Sequence, residues 1–153
     1  MPAARILIVE DESITAMYLS KLLDEEGFET VGLEPSGESA LEKMEELRPD
    51  LVLMDIHLAG ELDGIETAAR IHDRFAVPVV YVSAYSDEET LRRVKDTQPF
   101  GYLIKPVDKG LLRTTIQIAL SAHGAVLERT HALNDRDRLL GAFQRITRAM
   151  LAS

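Results

Sequence analysis

Four short stretches of this 153-residue chain put reactive side chains directly after runs of apolar, β-branched residues. Glu10, Asp11 and Glu12 follow Arg5–Val9. Asp55 follows Leu51–Met54, and Ser83 follows Val77–Val82. Lys105 follows Tyr102–Ile104 and precedes Pro106. Carboxylates brought together raise one another's pKa unless a cation intervenes. A hard, oxygen-seeking ion such as Mg²⁺ resolves that conflict and keeps waters for an incoming phosphate. A carboxylate can attack phosphorus to give an acyl phosphate. The negative charge on the transferred group is stabilised by a metal ion, an ammonium and a hydroxyl donor, and the four stretches offer the parts for all three. Taken singly, each residue has a plainer role: an Asp after a strand caps a turn, a Lys-Pro makes a surface turn, and an acidic pair opens a helix at its favourable end. What stands out is their joint occurrence.

The elements that must position these residues alternate along the chain. Arg5–Val9 is short, continuous and apolar, as expected of a strand buried on both faces. Helical spacing follows from Ser13 to Glu26, with Ile14, Met17, Tyr18, Leu22 and Leu23 as the apolar positions and Gly27 as a stop. Phe28–Leu33 reads as a second strand, Ser36 opens a second helix, and Leu51–Met54 is a third strand. Gly64–Phe75 is helical and Val77–Val82 is a fourth strand. Ser86-Asp87-Glu88-Glu89 carries a capping-box pattern. Tyr102–Ile104 is a fifth strand, and Asp108 can cap a last helix. Five β-α units with short connections imply a parallel sheet covered by helices on both faces. In such sheets the functional crevice lies outside the carboxyl ends of the strands, where the reactive residues fall.

Composition fits one domain with an appendage. Apolar residues make up 46% of the chain, enough for a buried core. Cysteine is absent, which excludes disulfides and thiolate metal sites. No apolar run approaches the length of a membrane span, and the first residues do not resemble a secretory signal. The expected setting is the cytoplasm. A net charge of −9 argues against direct contact with nucleic acid. The arginines of the tail, Arg129, Arg136, Arg138, Arg145 and Arg148, are partly interleaved with Asp135 and Asp137, as on a solvated helix face.

The stretches Ile-Leu-Ile-Val-Glu-Asp-Glu (6–12), Leu-Val-Leu-Met-Asp-Ile (51–56), Asp-Gly-Ile-Glu-Thr-Ala (63–68), Val-Val-Tyr-Val-Ser-Ala (79–84) and Gly-Tyr-Leu-Ile-Lys-Pro (101–106) together resemble the CheY-like receiver domain of two-component response regulators. The resemblance covers about residues 4 to 121. It implies a flavodoxin-like, doubly wound α/β fold with a five-stranded parallel sheet. It implies that Asp55 accepts a phosphoryl group from a sensor histidine kinase or phosphotransfer protein. Asp11, Asp55 and the backbone carbonyl of His57 would bind Mg²⁺, with Glu10 acting mostly through water. Ser83 would hydrogen-bond the phosphoryl group, Lys105 would form its ion pair, and Tyr102 would turn inward as the serine moves. The Lys105-Pro106 bond would be cis. Such a domain is a phosphoacceptor rather than an enzyme. Three departures stand out. The acidic pair is Glu-Asp where Asp-Asp is commonest. The loop from His57 to Gly64 lacks the usual proline and is longer by one residue. His57 and Tyr85 occupy positions that tune phosphoryl lifetime, and neither is a common aid to hydrolysis.

Beyond the receiver, residues 122–153 form an extension. Apolar pairs recur every seven residues at Leu111/Leu112, Ile118/Ala119, Ala125/Val126, Ala132/Leu133 and Leu139/Leu140, and Ile146 continues the series. Two forms fit this spacing. One is a long final helix, broken near Gly124, whose seam joins two copies as a homodimer or leads to an output module. The other is a helix folded back on its own domain. His123 and His131 lie here without any surrounding kinase-type motif. Among rival readings, an aspartate-nucleophile phosphohydrolase of the haloacid dehalogenase type needs a second Asp two residues after the first, where this chain has His57. A receiver that no longer takes phosphate would have lost Asp55 or Lys105. A nucleotide or flavin carrier would have a glycine-rich first turn in place of Glu10-Asp11-Glu12.

Overall fold

The structure, a computed structural model, describes residues 3–84, 88–96 and 99–140, with side chains to residue 124. The chain divides into two units, Met1–Leu120 and Ser121–Ser153. In the first, β1 (Arg5–Val9), α1 (Ser13–Glu25), β2 (Glu29–Glu34), α2 (Gly37–Leu47), β3 (Leu51–Asp55), α3 (Gly64–Phe75), β4 (Val79–Ser83), α4 (Glu88–Asp96) and β5 (Gly101–Ile104) alternate as expected. α5 begins at Lys109. The sheet is parallel throughout, with strand order β2-β1-β3-β4-β5. The chain thus reverses direction across the sheet between β1 and β3, which opens a crevice at their carboxyl ends.

The period of two in a strand divides the core. Ile6, Ile8, Leu51, Leu53, Val80, Val82 and Leu103 face one side, with Leu19, Leu22 and Leu23 of α1 and Leu112, Ile116 and Ala119 of α5. Leu7, Val9, Val52, Met54 and Tyr81 face the other, with Ala40 and Met44 of α2, Ile65 and Ile71 of α3 and Val94 of α4. Burial on both faces explains why β1, β3 and β4 read as unbroken apolar runs.

The structure corrects several details. β4 starts at Val79, not Val77, because Pro78 has no N–H to give to a ladder; its carbonyl instead accepts from Val52 N–H. β2 lies one residue later than expected. In α1 the apolar face differs. Ala16, Leu19, Leu22 and Leu23 are buried, whereas Ile14, Met17 and Tyr18 are exposed, Ile14 by 84%. Both stripes have helical spacing, and contact with the sheet selects between them. The cap at Asp108 is present, since its carboxylate accepts Leu111 N–H at 2.8 Å. The capping pattern at Ser86-Asp87 lies outside the described residues, as do Tyr85 and Ile146. α5 runs unbroken through Gly124 to Leu140, so the expected break there is not seen. Glycine lowers helix propensity without forbidding a helix. Among the described residues no helix is long and apolar enough to cross a membrane.

Candidate functional site

The carboxyl ends of β1, β3, β4 and β5 bring the chemically capable residues together. Glu10 and Asp55 are almost fully buried, at 3% and 7% exposure, while Asp11 is exposed beside them. One oxygen from each of the three carboxylates lies within 4.8 Å of the others. Lys105 reaches in from the end of β5. Its Nζ lies 2.9 Å from Glu10 Oε2 and 3.3 Å from Asp55 Oδ2. The Lys105-Pro106 bond is cis, as expected. Ser83 ends β4, is fully buried, and its carbonyl accepts Lys105 N–H at 2.9 Å. Tyr102 is half-buried against the core beneath α3 and α4, with its ring 6.5 Å from that of Tyr81.

The loop after β3 closes over this cluster. His57 N–H donates to Asp55 Oδ1 at 3.3 Å, and Ala59 N–H donates to Asp11 Oδ2 at 3.2 Å. At its base, Gly64 N–H donates to the Ile56 carbonyl at 2.7 Å. A Cβ at Gly64 would fall on the Asp55 carbonyl, so glycine is what allows α3 to start so close to the end of β3.

The electrostatics are those of too many carboxylates for one ammonium. Burial pushes the Glu10 carboxyl up to about 7; the neighbouring Asp55 adds to the rise and Lys105 opposes it. For Lys105, burial acts downward, but the Glu10 and Asp55 carboxylates outweigh it and hold the ammonium above its ordinary value. Glu10, expected to act mostly through water on a metal ion, is in this structure the nearer partner of Lys105. The donor set is all oxygen, three carboxyl groups beside one ammonium, which fits a hard divalent cation.

Sequence reasoning missed two contributors. Glu38, in the first turn of α2, accepts Leu62 N–H at 2.9 Å. Arg93 of α4 pairs with Asp63 at 2.6 Å, and Asp63 also shares a capping box with Glu66. The Asp-x-x-Glu spacing of that box was a readable signal; the partners across elements had none.

The sequence model of the response regulator receiver domain matches residues 6–117. The chain belongs to this family. It is a response-regulator receiver of the two-component type, in a family of signalling domains rather than enzymes. Over 117 residues the receiver is 38% identical to the transcriptional regulatory protein PdtaR of Mycobacterium tuberculosis, a match spanning 76% of this chain and 57% of that protein. It is 34% identical over 122 residues to a protein-glutamate methylesterase/protein-glutamine glutaminase of Trichodesmium erythraeum, spanning 76% of this chain and 34% of that one. The receiver thus spans little more than half the length of the curated relatives it matches, or less. Among solved structures, the signal receiver domain of a modulated diguanylate cyclase from Desulfovibrio desulfuricans G20 superposes with a TM-score of 0.77 at 38% identity, covering 80% of this chain and 98% of that chain.

Proposed function

We propose that Asp55 accepts a phosphoryl group from a phosphohistidine on a sensor histidine kinase or phosphotransfer protein, with Mg²⁺ held by the acidic cluster. The observation that carries this reading is the buried Asp55 carboxylate, grouped with Glu10 and Asp11 and 3.3 Å from the Lys105 ammonium. Asp11, Asp55 and the His57 backbone carbonyl would hold the ion, with Glu10 beyond. When bound, the ion supplies positive charge to the phosphoryl oxygens and relieves the repulsion among the carboxylates. An Asp55 carboxylate oxygen attacks phosphorus. The P–N bond breaks, its electron pair returns to the donor imidazole, and an acyl phosphate forms. Lys105 offers its ammonium to the new negative charge, and Ser83 donates its hydroxyl to it. Both lie on neighbouring strand ends, which pre-organises them.

In the same reading, residues 1–121 form the phosphoacceptor and 122–153 an extension that carries the signal. As Ser83 moves to the phosphoryl group, Tyr102 turns inward and the face of α4, β5 and α5 repacks. α5 supports this route. Of the first two heptad pairs, Leu112 and Ala119 cover their own domain, while Leu111 and Ile118 are 54% and 60% exposed, seven residues apart. That spacing suits a seam with a second copy.

The test is mass spectrometry after incubation with Mg²⁺ and a small phosphodonor. One phosphoryl group, labile to base and hydroxylamine, is expected on the wild-type chain. It should be absent from Asp55→Asn and greatly reduced in EDTA. Equal labelling of Asp55→Asn would sink the assignment.

A further inference from the structure

The loop from Ile56 to Asp63 has to hold its shape over the acidic cluster, yet its own sequence does little to fix it. It contains no proline, and Gly60 sits in the left-handed region with φ of 102°. Such a segment has many conformations to lose. Among the described residues, four of its backbone N–H groups bond to carboxylates, and the last of them, Asp63, donates to its capping partner Glu66 in α3 at 3.1 Å. His57 donates to Asp55 and Ala59 to Asp11, at 3.3 and 3.2 Å. Both acceptors belong to the cluster itself, so a cation bound there would compete for them. The remaining tie is the shortest of the four. Leu62 N–H donates to Glu38 Oε1 at 2.9 Å, and this acceptor stands outside the cluster.

Glu38 is well placed as an anchor. It is half-buried in the first turn of α2, whose start is itself fixed by the reciprocal Ser36–Ser39 capping box. Its second oxygen lies along the crest of the loop, where a Cβ at Gly60 would come within 2.5 Å of it. Close by, Ser36 and Ala59 form an isolated parallel bridge. One carboxylate thus bonds the loop at Leu62 and lies close against Gly60, from the capped start of α2.

We infer that Glu38 is a positioning residue, which holds the β3–α3 loop, and with it the His57 and Ala59 backbone, in register over the metal and phosphoryl site. The inference rests on the reading of that site given above. It commits to reach and acceptor geometry, not charge. A glutamate in the first turn also suits the helix dipole, which would need charge alone.

Two variants separate these roles. Glu38→Gln keeps the reach and an acceptor oxygen but loses the charge. Glu38→Asp keeps the charge but draws the oxygens back by one methylene. Each is compared with wild type by Mg²⁺ titration followed in backbone NMR spectra, and by hydrogen exchange of the Leu62 amide in the metal-free protein. Glu38→Gln should match wild type in both. Glu38→Asp should lose roughly tenfold in Mg²⁺ affinity, the lower range for outer partners of a metal site, and its Leu62 amide should exchange faster. If Glu38→Asp matches wild type while Glu38→Gln is impaired, or both are impaired equally, the inference is overturned. If both variants behave as wild type, it is likewise overturned. Wild-type protein that neither binds Mg²⁺ nor forms an acyl phosphate would refute the functional reading instead. The Leu62 exchange comparison would still decide whether Glu38 holds the loop.

Discussion

Glu10 carries a conflict that a cation would remove. Its carboxyl is raised from 4.5 to about 7, first by burial and then by Asp55, with Lys105 opposing. Between those pH values the folded chain keeps a proton that the unfolded chain releases. Stability from this group is therefore greatest near the acid end of the window and falls as pH rises towards 7. The cost at neutral pH is at most about 3 kcal/mol, one pKa unit being worth about 1.4 kcal/mol. Scanning calorimetry in EDTA should show wild type losing stability between pH 5 and 7.5 relative to Glu10→Gln. Added Mg²⁺ should stabilise wild type more at the upper end, because metal and proton compete for the same cluster. Lys105 allows a second test. Lys105→Ala removes positive charge from the cluster, so Mg²⁺ should bind at least as tightly. Under the proposed function, what is lost is a charge-assisted contact to the phosphoryl group, worth roughly 1.5–3 kcal/mol. Mg²⁺ titrations should therefore look normal while the spectral change produced by phosphorylation disappears. A much weakened Mg²⁺ affinity would make Lys105 a structural residue.

At the scale of elements, α1 has two apolar stripes and buries one. Leu19 is 2% exposed against the sheet and α5, while Met17 is 63% exposed. Leu19→Ala should cost about 2–5 kcal/mol, the range for truncating a packed leucine. Met17→Ala should stay within about 0.5 kcal/mol, as surface changes do. Urea unfolding of the two variants measures both. Equal costs would mean that α1 is rotated from the orientation described.

For the whole molecule, the question is what the extension does with a change at α5. A ligand moves an equilibrium only by its differential affinity for two states, so under the proposed reading the seam between copies must differ between the two states. We expect a homodimer whose strength or geometry changes with phosphorylation. Analytical ultracentrifugation with and without beryllofluoride and Mg²⁺ checks this, on the full chain and on a chain cut after Ser121. The full chain should shift its self-association and the cut chain should not. Monomers in every condition would remove the seam, leaving the receiver to act on a separate partner through the same face.

The sequence by itself determined the alternation of elements, the parallel sheet and the strand ends that meet. The reason is local: apolar runs buried on both faces delimit each strand, and parallel strands all deliver their last residues to one edge. Glu10, Asp11, Asp55, Ser83 and Lys105 were legible for that reason, and so was the cap at Asp108. Only the tertiary structure decided which stripe of α1 is buried, because Ile14, Met17 and Tyr18 satisfy helical spacing as well as Leu19 and Leu23 do. It also decided that α5 passes through Gly124, where propensity alone suggested a break. Above all it decided the partners of side chains that span elements: Lys105 lies nearer Glu10 than Asp55, and Glu38 bonds a loop amide 24 residues away. Periodicity describes one element at a time. A hydrogen bond between two elements depends on how both pack against the sheet, and no spacing within either one encodes it.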